Sequence, residues 1–210
     1  CHPLTALDDH SRFALQLAAS SADPKAALGR VEREVERVTT LVGELLQVTR
    51  AEGDPESRNT CTVDLPEFLR RVVEDARIEA EAQDVELKLQ VPERLTWSGD
   101  PELLHRAIDN VLRNAIRYSP SGTAVTLTAR REGSQVLVGI RDHGPGVPPE
   151  QLDSIFQPFY RVEEDRGRRN GDAGVGLGLA IARRAVRAHH GEIRARNADP
   201  GLLVEVALPC

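Results

Sequence analysis

The sequence has no methionine at all, three cysteines, and aromatic residues at only 3% of its 210 positions. Without a methionine at position 1 the chain reads as a piece of a longer protein rather than as a complete translation product. The cysteines, Cys1, Cys61 and Cys210, lie far apart, with no C-x-x-C pair and no histidine at metal-ligand spacing. Neither a zinc site nor a disulfide framework is indicated, and a reducing compartment fits best. No apolar run approaches the roughly 18 to 20 residues needed to cross a bilayer, and no signal peptide is visible, so any membrane attachment would lie upstream of this segment. Lysine is nearly absent too: apart from Lys25 and Lys88, all basic residues are arginine. With 27 basic against 33 acidic residues the net charge is −6, which argues against a general polyanion binder, so nucleic acid is not an expected partner.

What is present is an apolar fraction of 40%, enough for one medium domain or two small ones. With so few aromatics the core must be Leu, Val, Ile and Ala. Between Pro24 and Glu52 apolar residues recur at Leu28, Val31, Val35, Val38, Val42 and Leu45, alternating steps of three and four that mark a helix packed along a bundle seam. Phe13 to Ala19 has the same helical character, and Ser20 to Lys25 makes the break. Two helices cannot close a core alone, so residues 1–52 are expected to form a hairpin that pairs with a second copy into a four-helix bundle, a homodimer. Gly53 to Thr60 reads as a linker, and residues 61–210 as a second domain.

That second domain mixes helices and strands. Cys61 to Asp64 predicts a short strand, and Asp64 caps a helix reaching about Gln83. Val85 to Val91 alternates as a strand, and Leu95 to Ser98 is another. Asp100-Pro101-Glu102 is a strong helix start, with the helix running to Tyr118. Ala124 to Arg131 and Gln135 to Asp142 form a hairpin about Gly133. A Gly- and Pro-rich region from His143 to Gly178 precedes a helix to about His189 and two terminal strands. The order implies an α/β two-layer sandwich with a mostly antiparallel or mixed sheet.

Three features of this domain carry chemistry. On the helix ending at Tyr118, Asn110, Asn114 and Arg117 fall at i, i+4 and i+7, off the apolar stripe. Paired asparagines are poor helix formers, and a hard cation with phosphate oxygens would compensate, since an amide oxygen is a suitable Mg²⁺ ligand. Asp142-His143-Gly144-Pro145-Gly146 ends a strand with a carboxylate followed by two glycines. Gly174, Gly176 and Gly178, alternating just before a helix, permit close approach of backbone to phosphate.

In this order, Asn110-x-x-x-Asn114, D-x-G-x-G, Ile155-Phe156-Gln157-Pro158-Phe159 and Gly174-x-Gly176-Leu177-Gly178 resemble the N, G1, F and G2 boxes of sensor histidine kinases, members of the Bergerat-fold ATP-binding superfamily. The resemblance implies ATP and Mg²⁺ as cofactors and a response regulator receiver domain as partner, with the chain as the cytoplasmic portion of an inner-membrane receptor. It implies that Asn114 chelates Mg²⁺, Asn110 assists at the phosphates, and Arg117 faces them, while Tyr118 lines the adenine and Asp142 accepts from its amino group. Gly144 and Gly146 would hinge an ATP lid, and Phe156 and Phe159 would anchor it. The Gly174 to Gly178 stretch, Leu177 included, would close over the phosphates. Superfamily members that hydrolyse ATP place a water-activating Glu where this chain has Asn110. A carboxamide is no general base, so transfer to a protein side chain is favoured over hydrolysis.

The family phosphorylates a histidine on the first bundle helix. Counting back from Phe13-Ala14-Leu15 places that acceptor at His2, although Pro3 stands where the family has an acid and Leu7 where it has proline. His10, between Asp9 and Ser11 and close to Asp8, is the alternative, and a shifted alignment would put the acceptor upstream of Cys1. This departure leaves open a catalytically impaired, dimeric ATP-binding scaffold, or a Ser/Thr kinase of the same superfamily. His105, His143, His189 and His190 lie outside the hairpin and read as surface or structural.

Overall fold

The computed structural model describes residues 60–162 and 176–210, so the hairpin, the linker, His2, His10 and Gly174 fall outside the described residues. Two sheets and three helices make up the described part. β1 (Cys61–Asp64) pairs antiparallel with β3 (Thr96–Gly99) in a small sheet of their own. β2 (Glu86–Gln90), β4 (Ala124–Glu132), β5 (Gln135–Arg141), β6 (Glu192–Asn197) and β7 (Leu202–Pro209) form a second sheet in the order β2-β4-β5-β7-β6. Only β2 and β4 run parallel; the other neighbours are antiparallel, so the mixed sheet expected from the element order is present.

The helices start where the caps predict. The Asp64 carboxylate accepts from the Glu67 amide at 3.1 Å and opens α1 (Leu65–Ala82). The Asp100 carboxylate accepts from the Glu102 and Leu103 amides at 2.9 and 3.2 Å and opens α2 (Pro101–Tyr118), whose first residue is a proline with no amide to leave unpaired. Between them Leu65, Leu69, Val72, Leu104, Ile108, Val111, Leu112 and Ile116 are fully or almost fully buried. These residues, with α3 (Gly178–Ala188), cover one face of the large sheet, meeting Val125, Leu127, Val138, Ile140, Val204 and Val206. The period-two alternation of the strands leaves Thr126, Thr128, Arg141 and Leu203 on the opposite face.

His189, expected to be a surface or structural residue, joins three elements. Its Nε2 accepts from the Asp100 amide at 3.1 Å, its Nδ1 donates to the Ala185 carbonyl at 2.9 Å, and its ring meets Trp97 edge-on at 4.9 Å between centroids. The Trp97 indole lies over Gly99, where any Cβ would fall 1.9 Å from the ring, and Nε1 donates to the Pro209 carbonyl at 2.9 Å. His189→Ala strands the Asp100 amide beside buried apolar surface, so it should cost about 1–3 kcal/mol. A lower urea midpoint at unchanged slope would show it; an unchanged midpoint would remove His189 from the structural account.

Candidate functional site

α2 carries the site because its two faces differ. Opposite the core stripe, Asn110 and Asn114 are half-buried and Arg117 is exposed. The Asn110 side-chain nitrogen donates back to the Arg106 carbonyl at 2.8 Å, which turns its oxygen outward. That oxygen faces the start of α3: a Cβ on Gly178 would lie 3.0 Å from it. α3 opens without a side-chain cap, since Leu177 at the cap position makes no such bond. Its first amides and the axial dipole therefore favour an anion beside the asparagine face. Asn114 has no hydrogen-bonded partner for its amide among the described residues. Gly178 is thus the first residue of a helix docked on Asn110, and its lack of a side chain permits that close contact.

The other end of the site gathers at the C-terminus of α2. Asp142, at the end of β5, is 5% exposed. Its Oδ1 accepts from the Gly144 amide at 2.8 Å and the Leu202 amide at 3.0 Å, and its own amide donates to the Leu202 carbonyl at 3.0 Å. The other oxygen, Oδ2, has no such partner among the described residues. Burial pushes the Asp142 carboxyl above the ordinary aspartate range, against the pull of those two amides and of the His143 and Arg141 charges. Tyr118 ends α2 close by, since a Cβ on Gly144 would meet the Tyr118 carbonyl oxygen at 2.7 Å. From Asn110 to Tyr118 the helix rises about 12 Å, which sets the separation of the two ends of the site.

Gly144 and Gly146, expected as hinges, both sit where a side chain would clash. Gly146 has φ +74, a conformation costly for residues with a Cβ, and such a Cβ would fall 2.7 Å from Asn197 Oδ1. Asn197 brackets the following residue, accepting from the Val147 amide at 2.9 Å and donating to its carbonyl at 2.7 Å. Asn197, Leu202 and Gly201, which packs on the Asp142 backbone, support the site from the β6–β7 turn. The sequence marks that turn only as A-D-P-G, a break between strands, with no sign of what it supports.

The two phenylalanines part company. Phe156 is buried at the end of a short 3₁₀ turn (Ser154–Phe156), and the Arg183 guanidinium lies 5.8 Å from its ring centre. Phe159, expected with Phe156 to anchor the packing of the lid, is 56% exposed. Its backbone is left-handed, at φ +64, and its amide donates to the Gly176 carbonyl at 2.9 Å, while Gly176, at φ +80, has room for no Cβ against Tyr160. This clasp joins the two ends of the stretch containing Gly174.

A carboxylate with one oxygen unpartnered among the described residues at one end of α2, and the outward Asn110 oxygen beside an uncapped helix start at the other, can take an amine-bearing base and a phosphate chain together. The family model described as histidine kinase-, DNA gyrase B- and HSP90-like ATPase matches residues 99–210. SenX3 of Mycobacterium tuberculosis, a sensor-like histidine kinase, is 32% identical over 197 residues, covering 92% of this chain. The chain belongs to the sensor histidine kinases. It spans about half the length of the relatives it matches, 48% in the case of SenX3. The histidine kinase ShkA, solved in complex with AMPPNP, is 25% identical with a TM-score of 0.74, over 98% of this chain and 43% of that one. The histidine kinase ThkA, solved in complex with the response regulator protein TrrA, shares the fold at 21% identity and a TM-score of 0.73, over 99% of this chain and 57% of that one. The kinase chain thus has the ATP-binding fold that its boxes imply. Among the described residues no helix is long and apolar enough to cross a membrane.

Proposed function

We propose that this histidine kinase chain binds Mg²⁺-ATP, phosphorylates a histidine of its own dimer and passes the phosphoryl group to an aspartate of a response regulator, as the cytoplasmic part of a membrane receptor. The observation that carries the reading is the carboxamide of Asn110 set against the start of α3, where a water-activating carboxylate would serve hydrolysis. The solved complexes of ShkA with AMPPNP and of ThkA with a response regulator support the nucleotide and the partner. The seam of apolar residues from Leu28 to Leu45 supports the dimer.

In this reading Asp142 Oδ2 accepts from the adenine amino group while Oδ1 stays fixed by Gly144 and Leu202. Tyr118 borders the base, and Arg117, the start of α3 and the Asn110 oxygen attend the phosphates. The unpartnered oxygen of Asn114 fits Mg²⁺, a hard cation that takes few protein ligands and completes its shell with phosphate and water. Among the described residues no cluster of three or more His, Cys, Asp or Glu side chains could hold a metal instead. When bound, the ion neutralises charge between the phosphates, and the chain's own contribution is positioning and electrostatics.

Incubation with γ-labelled ATP should give an acid-labile, base-stable label on the chain that moves to a receiver domain. An acid-stable label would indicate Ser/Thr phosphorylation instead, and released inorganic phosphate without label would indicate hydrolysis. The replacement of the expected acid by Pro3 and of the proline by Leu7 favours a second reading, a dimeric ATP-binding scaffold without kinase activity. Transfer to any receiver domain would rule that out.

A further inference from the structure

The nucleotide site uses Asp142, but its two neighbours in sequence face the other way. Strand alternation sends Arg141 and His143 to the sheet face away from the helices, where they help line a cleft of about 470 Å³. Thr126 pairs with Arg141, Arg141 with Leu203, and Leu203 with Arg196, so one row of side chains crosses four strands; Gln90 and Thr128 pair in the next row. All of these residues line the cleft, and among the described residues no carboxylate does.

That lining is unusual for a chain of net charge −6. Arg141 and Arg196 stand two strand spacings apart, about 10 Å, within joint reach of two arginine side chains. Neither forms a contact ion pair with a carboxylate among the described residues, although the Arg141 charge is felt by Asp142 across the strand. The Arg141 guanidinium is held in advance: one terminal nitrogen donates to the Ala198 carbonyl at 3.0 Å. Its Nε is buried with no hydrogen-bond partner, a donor that lacks an acceptor. Polar groups surround it. The Thr126 hydroxyl, the Gln90 amide and the Thr128 hydroxyl, which donates to the Gly139 carbonyl at 3.4 Å, line the same cleft, and His143 adds a ring whose Nδ1 is fixed on the Ala124 carbonyl at 2.7 Å. The space between them exists because position 139 is glycine. A Cβ there would come within 2.7 Å of Thr128 Oγ1 and 3.5 Å of Leu203 Cδ1.

We propose that this cleft is a second ligand site, which binds a small phosphorylated molecule with its phosphate on Arg141 and Arg196 and its body against Leu203 and Ala198. A phosphomonoester offers three acceptor oxygens and nearly two charges, which match two guanidinium groups with flanking hydroxyls; a single carboxylate is satisfied by one arginine fork. The cleft exceeds what phosphate alone would fill, and Leu203 and Ala198 supply an apolar wall for the remainder. The site stands apart from the nucleotide, which approaches Asp142 from the helical side of the sheet.

The test is calorimetry on the whole chain with AMP-PNP already filling the nucleotide site. Inorganic phosphate and glucose 6-phosphate are the probes, with glucose and citrate as controls. Both phosphates should bind once per chain without displacing the nucleotide, and glucose should not bind. Arg141→Gln should weaken binding by about 10-fold or more, the loss of a hydrogen bond to a charged group. Arg196→Gln, on an exposed edge-strand position that cannot endanger folding, should weaken it about threefold or more. Failure of both phosphates to saturate, displacement by AMP-PNP, or undiminished binding to Arg196→Gln would overturn the site. Citrate binding as tightly as phosphate would overturn the ligand class.

Discussion

Asp142→Asn should lower ATP affinity by about 100-fold while leaving the fold as stable as before or slightly more so. The amide must keep its oxygen on the Gly144 and Leu202 amides, since both are donors. Its NH₂ is then forced into the place of Oδ2, and a donor faces the adenine amino group. Affinity falls twice over, through the lost charge-assisted bond and through the new donor-donor contact. Stability moves the other way. Because burial raises the Asp142 pKa in the folded state, folding favours the protonated carboxyl, and this contribution is lost as pH rises through the folded value. At neutral pH the ionised carboxylate is therefore a cost that asparagine removes. The gain in urea midpoint over the parent chain should shrink as pH falls toward the ordinary aspartate value of about 3.9. ATP affinity of the parent chain should begin to fall with acid at a pH above that value. Unchanged affinity in Asp142→Asn would remove Asp142 from the adenine contact.

Asn114→Ala should abolish the dependence of ATP binding on Mg²⁺. In the parent chain, calorimetry with Mg²⁺ should give tighter binding than calorimetry with a chelator. In the variant the two titrations should coincide at the chelated level, a loss of about 10–100-fold under Mg²⁺ conditions, the scale seen when metal-site support is removed. Folding should be untouched, because the Asn114 amide has no described partner to lose, and alanine is the better helix former. A Mg²⁺ response that persists in the variant would move the ion to other residues.

Elements were legible in the sequence where local chemistry decides them. Asp64 and Asp100 cap helices at the predicted residues, Gly133 turns the β4–β5 hairpin, and the apolar stripe of α2 leaves Asn110 and Asn114 together off the core. The site was legible as a set of boxes, and Asp142, Gly144 and Tyr118 do meet at one end while Asn110 and Gly178 meet at the other. The parts that were not legible depend on partners distant in sequence. Asn197 reads as a residue at a strand end until Val147 is seen bonded to both ends of its amide. Phe159 gives no sign in the sequence of the left-handed backbone and the Gly176 bond that accompany its exposure.

By itself, then, the sequence determined the kind of domain, the order of its elements and the polarity of each face, because caps, turn residues and side-chain periodicity act within a few positions of the chain. Only the tertiary structure decided that β1 joins β3 outside the main sheet, that Gly146 packs against Asn197, and that Asp142 has one oxygen fixed by two amides and the other without a partner among the described residues. It also decided that Arg141 and Arg196 share a cleft behind that carboxylate. Each of these rests on contacts between residues distant in sequence, from 32 to 38 positions across the β1–β3 pair to 60 between Asp142 and Leu202, and no local pattern encodes which strands meet.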